Sequence, residues 1–258
     1  MTTTIAFANQ KGGVGKTTSA VTLACGLAAH GLSTLLVDLD PQGHVALSFG
    51  LPKSPALYRC ISLDEPLEGL TISPRPHLSL LCGDRSTEKI NRQFARLEFP
   101  DSVLADLLTG LCFDVVLLDL APSFNLLQRN GLYASDWIVI PTRLDPLSLD
   151  GVDEVMALMR ELETGTKCNR GYSILPTFFD RTTRDTLTQF RRLVDEHGEH
   201  VWPPIPQDSH ARTALDDGQT LWDFKRTTPA MEGIKSGRHH LGGYRQVLDR
   251  LLEVIHDK

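Results

Sequence analysis

The chain has 258 residues, a hydrophobic content of 41% and a formal net charge of −6 at pH 7. A chain of this length can bury a sizeable core, so we expect a single domain over residues 1–258. No apolar run in the sequence approaches the roughly 18 residues that cross a bilayer, which argues against a membrane-spanning protein. The first residues also lack the basic and then apolar pattern of a signal peptide, so we expect a cytoplasmic protein.

Strand-like and helix-like patterns alternate along the sequence, which predicts an α/β fold with a mostly parallel, doubly wound sheet and helices on both faces. The strands are expected near residues 3–9, 33–38, 78–82, 114–119, 137–141 and 172–178. The helices are expected near residues 16–30, 102–110, 125–134, 147–162, 186–197 and 243–256. Residues 51–77 carry five prolines and predict surface loops with a short helix.

A phosphate-binding loop follows the first strand. It consists of Gln10, Lys11, Gly12, Gly13, Val14, Gly15, Lys16 and Thr17, and Thr18 continues into the next helix. Glycines let a backbone wrap a phosphate, and a strand before with a helix after is the context that this motif requires. We expect Lys16 to neutralise the β- and γ-phosphate oxygens of a nucleotide and the Thr17 hydroxyl to bind Mg²⁺. The glycine that usually opens such a loop is Gln10 here.

Three carboxylates are expected at the same edge of the sheet, because nucleotides bind at the carboxyl ends of parallel strands. Asp38 and Asp40 end the strand near 33–38, and alternate residues of a strand point to one face. Both can therefore face a metal and phosphate site. Asp119 ends a largely apolar strand and reads as a Walker B acid that holds Mg²⁺ through water. An acid at the end of a buried strand is common, so this signal is weak alone.

The second lysine of the loop, Lys11, is not needed to bind phosphates within one subunit, and a solvated loop lysine is the simple alternative. The motif Lys-Gly-Gly-x-Gly-Lys-Thr resembles the deviant Walker A ATPases of the MinD/ParA type. This resemblance implies that Lys11 reaches the partner's ATP across a face-to-face homodimer. It also implies that Asp40 orients the attacking water, with ATP and Mg²⁺ as cofactors. The wording Asp-Leu-Asp-Pro-Gln-Gly at 38–43 is close to the ParA branch.

The resemblance to ParA covers nearly the whole chain and is poorest over residues 51–100 and 226–243. The segment Leu120-Ala121-Pro122-Ser123 resembles the family's switch segment. It departs from the family pattern at its first two positions, where this chain has Leu and Ala. Ile205 is followed by Pro206, Gln207 and Asp208 where the family has Ile-Pro-Arg-Asn, which implies that these three residues lie near the adenine.

ParA-type dimers bind DNA without sequence preference and release it when a ParB-like or adaptor protein stimulates hydrolysis, so the resemblance implies these partners. The cargo could be a plasmid, a chromosome or a protein body such as a carboxysome. The basic residues concentrate late: residues 1–159 carry 11 Lys and Arg against 17 Asp and Glu, and residues 160–258 carry 15 of each. Candidate DNA contacts are Arg181, Arg184, Arg191, Arg192, Arg212, Lys225, Arg226, Lys235 and Arg238. For each of them, a solvated mixed-charge surface is the alternative.

The sequence lacks features that other branches of the family need. A MinD-like membrane-surface ATPase needs a basic amphipathic tail, whereas the apolar stripe from Tyr244 to Ile255 is typical of a helix that packs on the domain. We therefore expect no membrane partner. The five cysteines lack the spacing of an iron–sulfur site. A metabolic enzyme that uses the same loop stays open. His239 and His240 are adjacent and favour a polar loop over a metal site.

Overall fold

A computed structural model describes residues 2–98, 100–123, 125–162, 171–224, 227–236 and 239–256 of the chain. Its strands are β1 (Thr3–Phe7), β2 (Thr34–Asp38), β3 (Ile72–Arg75), β4 (Leu78–Leu81), β5 (Val115–Asp119), β6 (Trp137–Arg143), β7 (Gly171–Thr177), β8 (Ile234–Ser236) and β9 (His239–Leu241). Its first six helices are α1 (Lys16–Ala29), α2 (His44–Leu47), α3 (Ala56–Ser62), α4 (Glu88–Phe94), α5 (Val103–Leu108) and α6 (Leu126–Ala134). The others are α7 (Pro146–Leu162), α8 (Arg184–His197), α9 (Ser209–Asp216), α10 (Pro229–Glu232) and α11 (Tyr244–His256).

The described strands form a seven-stranded sheet in the order β3-β4-β2-β5-β1-β6-β7, and β8 and β9 form a separate hairpin. Every neighbouring pair in the large sheet is parallel except β3 with β4. One apolar cluster lies on each face of the sheet, and helices cover both. The predicted mostly parallel, doubly wound α/β fold is therefore confirmed.

The six predicted strands are confirmed to within about two residues at each end. The prediction of surface loops with a short helix over residues 51–77 is partly wrong, because this segment contains the strand β3 as well as the short helix α3. Pro74 within β3 lacks an N–H group and suits only an edge strand, so the residue pattern did not indicate this strand. Helices α2, α4, α9 and α10 are also additional to the predicted set.

The outer edge of β7 is covered by residues 201–207, which run beside it without forming a full strand. The N–H groups of Trp202 and Ile205 donate to the carbonyls of Ile174 and Pro176, at 2.9 and 2.7 Å. Phe179 in turn donates to Ile205. An edge strand that is paired in this way offers few free backbone groups to another chain.

The last helix packs onto the first, as its apolar stripe predicts. Tyr244, Val247, Leu248 and Leu251 of α11 are buried, and a Cβ placed on Gly26 of α1 would lie 2.7 Å from a methyl group of Leu248. The Tyr244 and Ser19 hydroxyls lie 2.9 Å apart. Within the described part of the chain, no helix has the length and apolar character to cross a membrane.

Candidate nucleotide and metal site

The loop between β1 and α1 surrounds an open space at the carboxyl end of β1. Gly13 and Gly15 have left-handed backbones, with φ of 73° and 93°, which strongly favour glycine. A Cβ on Gly12 or Gly13 would have no described atom within 4 Å. Gly15 immediately precedes α1, and the free N–H groups at a helix N-terminus attract phosphate. The backbone therefore has the shape and polarity of a phosphate cradle.

Lys16 enters this cradle from the first turn of α1 and is only 6% exposed. Its Nζ donates a hydrogen bond to the carbonyl of Lys11 at 3.0 Å. Burial lowers the pKa of Lys16, and the nearby charges of Asp119 and Asp40 partly offset that effect. The ammonium therefore lies between the loop backbone and two acids, where phosphate oxygens would supply its remaining acceptors.

Two side chains outside the sequence motif, Asn9 and Thr177, contact the backbone of the phosphate-binding loop. Asn9 is buried; its Nδ2 donates to the Pro141 carbonyl at 2.9 Å, and its Oδ1 accepts from the Lys11 N–H at 2.8 Å. The Thr177 hydroxyl, at the end of β7, lies 2.8 Å from the Val14 carbonyl. A Cβ on Gly151 would lie 2.4 Å from Asn9 Oδ1, so α7 must carry a glycine where it approaches the loop.

Asp119 ends β5 and is buried, and neither of its carboxylate oxygens has a hydrogen-bond partner among the described residues. Burial raises its pKa to about 7; nearby Thr17 and Lys16 partly offset this effect, although the Thr17 hydroxyl does not reach hydrogen-bonding geometry. A buried carboxylate without a donor is costly unless a cation or a proton neutralises it. Asp119 thus fits a divalent cation.

The composition of the surrounding site fits Mg²⁺ bound together with a nucleotide. No group of three or more His, Cys, Asp or Glu side chains in the described ranges could hold a metal ion on its own. Mg²⁺ is often bound by one or two carboxylates together with water and substrate phosphates. Asp119 and the partly exposed Thr17 hydroxyl, at the start of α1, are the side chains that would share it.

Asp38 and Asp40 lie beside Asp119 but differ in their surroundings. Asp38 pairs in register with Asp119 across β2 and β5, and burial together with the Asp119 charge raises its pKa. Its two oxygens accept backbone N–H groups of Asp40 and Val45, each at 3.1 Å. These bonds shape the turn that carries Asp40. A direct metal contact by Asp38 stays a prediction.

Asp40 lies in that turn, 8% exposed, and its Oδ1 accepts the Gln42 N–H at 2.8 Å. The turn depends on close backbone approach: a Cβ on Gly43 would lie 2.6 Å from the Gly83 carbonyl. The structure thus brings Lys16, Asp40 and Asp119 near one another at one edge of the sheet.

Lys11 is held through its backbone while its side chain is exposed. Its N–H and carbonyl bond to Asn9 and Lys16, and its ammonium takes part in no ion pair with the residues that the structure describes. Neighbouring Gln10 reaches Glu154 of α7 once its amide is oriented to donate. A role for Lys11 in a partner's site stays a prediction, and the exposed ammonium is compatible with it.

The predicted base-binding segment lies farther along the carboxyl edge, after residue 205. Pro206 lies beside Phe179, and Gln207 is exposed. The Asp208 carboxylate is 2% exposed and accepts the Ala230 N–H at 3.1 Å together with the backbone and ring nitrogens of His210, at 2.9 and 3.0 Å. Local structure therefore already uses this carboxylate, and adenine contact stays a prediction for all three residues.

The candidate DNA-contacting residues are only partly described. Arg184, Arg191 and Arg192 lie on α8, and Arg192 pairs with Glu196. Arg181 donates to the Lys235 carbonyl at 3.2 Å, which joins the start of the α8 segment to the β8–β9 hairpin. Lys225, Arg226 and Arg238 lie outside the described residues, as do Cys168 and the side chains of Arg212 and His239. His240 bonds to the Glu232 carbonyl.

Comparison of the chain with known sequences supports the family resemblance of the phosphate-loop motif. A family model described as AAA domain matches residues 2–170 of the chain. The chromosome-partitioning ATPase Soj of Thermus thermophilus is 35% identical to the chain over 90% of its length, and the match covers 92% of the Soj sequence.

Solved structures share the fold over almost the whole chain. Cobyrinic acid a,c-diamide synthase from Mycobacterium smegmatis, solved with bound ADP and magnesium, has a TM-score of 0.78 and 25% identity, covering 98% of this chain and 95% of its own. A putative plasmid partition protein from Borrelia burgdorferi, bound to AMPPNP, has a TM-score of 0.79 at 20% identity and covers 100% of this chain and 99% of its own. At that identity the likeness shows the fold alone.

Proposed function

Because the chain belongs to the ParA/Soj family of partitioning ATPases, we propose that ATP and Mg²⁺ join two copies of it into a sandwich dimer that binds DNA without sequence preference. Hydrolysis, stimulated by a ParB-like or adaptor protein, would release the DNA and so position a cargo. A chromosome is the first cargo to test, because the T. thermophilus relative is named for chromosome partitioning.

The observation that carries this proposal is the buried carboxylate of Asp119, which lies beside Lys16 and Asp40 and has no hydrogen-bond partner among the residues that the structure describes. Phosphoryl transfer needs little covalent help from a protein; it needs charge neutralisation and a positioned nucleophile. Bound Mg²⁺ would supply positive charge that neutralises the phosphate oxygens. Lys16 would exchange its bond to the Lys11 carbonyl for phosphate oxygens, the loop N–H groups would hold the phosphates, and Asp40 would orient water.

Dimerisation through Lys11 is supported by how the loop holds that residue. Both of its backbone groups are used within the loop, so its Cα position is fixed while the exposed side chain can extend away from its own subunit. A cation in that position can help to neutralise the phosphate charge of a second nucleotide that faces it. This arrangement would make complete phosphate neutralisation depend on a second copy.

The dimer can be tested by replacing Lys11 with alanine. We expect Lys11→Ala to sediment as a monomer in ATP, whereas the native chain and a Lys89→Ala control form dimers. Lys89 is an exposed lysine on α4 that lies over Tyr58, away from the loop. Unchanged dimer formation by Lys11→Ala would count against the proposed role in the partner's site.

DNA binding is the first experiment for the function as a whole. Binding of random-sequence duplex should be measured in ATP, in ADP and without nucleotide, across a series of salt concentrations. We expect binding in ATP alone, with an affinity that falls steeply as salt rises, because phosphate contacts release counterions. Absence of binding in all three states would overturn the DNA proposal. Binding to lipid vesicles or turnover of a small-molecule substrate would then identify the membrane or metabolic alternative.

A further inference from the structure

Helix α6 begins directly after the segment that follows Asp119 and packs against both acid-bearing strand ends. Gln128, on its first turns, is 1% exposed. Its Oε1 accepts the Ala121 N–H at 2.8 Å, and its Nε2 donates to the Leu39 carbonyl at 3.3 Å. Leu39 lies between Asp38 and Asp40, and Ala121 lies two residues after Asp119. One amide therefore bridges the two segments.

We propose that Gln128 is a positioning residue for ATP hydrolysis, which fixes the segment that carries Asp40 relative to the segment that follows Asp119. The inference rests on the proposed role of Asp40 in directing water. Gln128 does not reach the phosphate cradle itself; it acts through the backbones of Leu39 and Ala121.

The packing around Gln128 explains why this bridge is tight. Gly131 lies one turn farther along α6, and a Cβ there would lie 2.5 Å from a methyl group of Leu120 and 3.2 Å from one of Leu39. The two segments also bond directly, because the Leu39 N–H donates to the Asp119 carbonyl at 3.0 Å. With α6 pressed against both, a change in the spacing of Leu39 and Ala121 must strain or break the amide bridge.

The same helix is bonded to two outer helices. Asn91 of α4 accepts the N–H of Leu127, and Asn130 of α6 accepts the N–H of Leu104 in α5, each through a side-chain oxygen at 2.9 to 3.0 Å. Hydrogen bonds therefore connect α6 to both α4 and α5. Asn130 also donates to the Leu126 and Pro100 carbonyls, and within the described part of the chain none of its hydrogen bonds reaches Leu39 or Ala121.

The experiment compares Gln128→Met with Asn130→Leu, its neighbour on the same helix. Both changes keep side-chain bulk and remove buried hydrogen bonds, but only Gln128→Met removes the bridge. We expect kcat for ATP to fall about tenfold or more in Gln128→Met, since small misplacements at a reacting centre are costly. The Kd for ATP should stay within about twofold. Asn130→Leu should lower Tm at least as much and leave kcat unchanged.

Two outcomes would overturn the inference: a native kcat in Gln128→Met, or equal losses of kcat in Gln128→Met and Asn130→Leu. If Gln128→Met does not fold, Gln128→Glu carries the same test, because it keeps the length and the acceptor for Ala121 but cannot donate to Leu39 when ionised. Asp40→Ala is measured in parallel. Normal turnover in Asp40→Ala would refute the proposed water-directing role, whereas an inactive Asp40→Ala with a fully active Gln128→Met would refute only the bridge.

Discussion

Two regions at the carboxyl edge of the sheet use their polar groups differently. One consists of the strand ends that carry Asp38 and Asp119, and the other is the segment Pro206–Asp208. At the strand ends, Asp119 has two buried oxygens without partners in the described structure. In the later segment, the Asp208 carboxylate, which is 2% exposed, accepts three hydrogen bonds from Ala230 and His210. The first carboxylate is left for a ligand, and the second already stabilises its own loop. The sequence predicted both as binding residues, Asp119 from its place at a strand end and Asp208 from the family resemblance alone.

The largest effect is expected at Asp119. Its folded-state pKa of about 7 exceeds the ordinary value of 3.8 because of burial. A folded protein with a raised carboxyl pKa loses stability as pH rises from about 4 to about 7, and the loss is complete above that range. Asp119→Asn should therefore raise the unfolding free energy of the ligand-free protein by on the order of a few kcal/mol near pH 8, while abolishing Mg²⁺-dependent hydrolysis.

Thermal unfolding of the ligand-free protein and of Asp119→Asn across pH checks this prediction. The gain from Asp119→Asn should shrink as the pH falls through about 7 towards 4, because the native carboxyl is then neutral. A gain that does not depend on pH, or a loss at every pH, would contradict the view that Asp119 is held ready for a cation.

The next effect is expected at Asp40. Asp40→Ala should reduce ATP turnover about 100-fold or more, because a misplaced water reacts slowly even when the nucleotide is well bound. The Kd for ATP should change little. Steady-state turnover and nucleotide titration measure the two quantities, and Asp153→Ala, an exposed acid on α7, serves as the control. Normal turnover in Asp40→Ala would refute its assignment.

Asp208 offers the sharpest test of the comparison itself. Asp208→Ala leaves the buried N–H of Ala230 without its acceptor, so we expect a loss of roughly 1–3 kcal/mol in unfolding free energy. ATP affinity should be unchanged in a folded sample. A weaker affinity for ATP with an unchanged Tm would reverse the comparison and support the predicted base contact at this residue.

The smallest effect is expected at Thr177. Thr177→Val removes the hydroxyl that contacts the Val14 carbonyl but keeps the shape of the side chain. The free energy of ATP binding should therefore weaken by about 1 kcal/mol, which corresponds to a Kd for ATP that is higher by a few-fold. Thr177→Ser, which retains the hydroxyl, is the control. A native Kd for ATP in Thr177→Val together with a weaker Kd in Thr177→Ser would show that packing of the threonine methyl group, rather than the hydrogen bond, supports the loop.

The sequence predicted six strands of the large sheet, the phosphate loop and the three acids, because each of these features depends on residues close together in the chain. Asn9, Thr177 and Gln128 were missed as site residues for the opposite reason. Thr177 reaches Val14 only after β6 and β7 have paired, and Gln128 reaches Leu39 only after α6 has packed. No local pattern marks such contacts, although Asn9 stands directly before the loop and could have been flagged.

The strand β3 illustrates a second limit. Its pairing with β4 is antiparallel and irregular in register, and Pro74 contradicts the usual composition of a strand. The hairpin of β8 and β9 likewise falls in residues where the family resemblance was poorest. Sequence patterns therefore predict the elements that carry the nucleotide site better than they predict peripheral elements such as β3 and the β8–β9 hairpin.

The central position of β1 has a consequence for how the chain acquires activity during synthesis. Thr3 of β1 pairs with Val115, and Ile5 pairs with Trp137. The first strand can therefore pair only after β5 and β6 have been translated. Such long-range pairing slows folding. Although the phosphate loop is among the first segments to leave the ribosome, its support from Pro141 and Thr177 comes later still. A nascent chain therefore gains its complete nucleotide site only after about two-thirds of the protein has been translated.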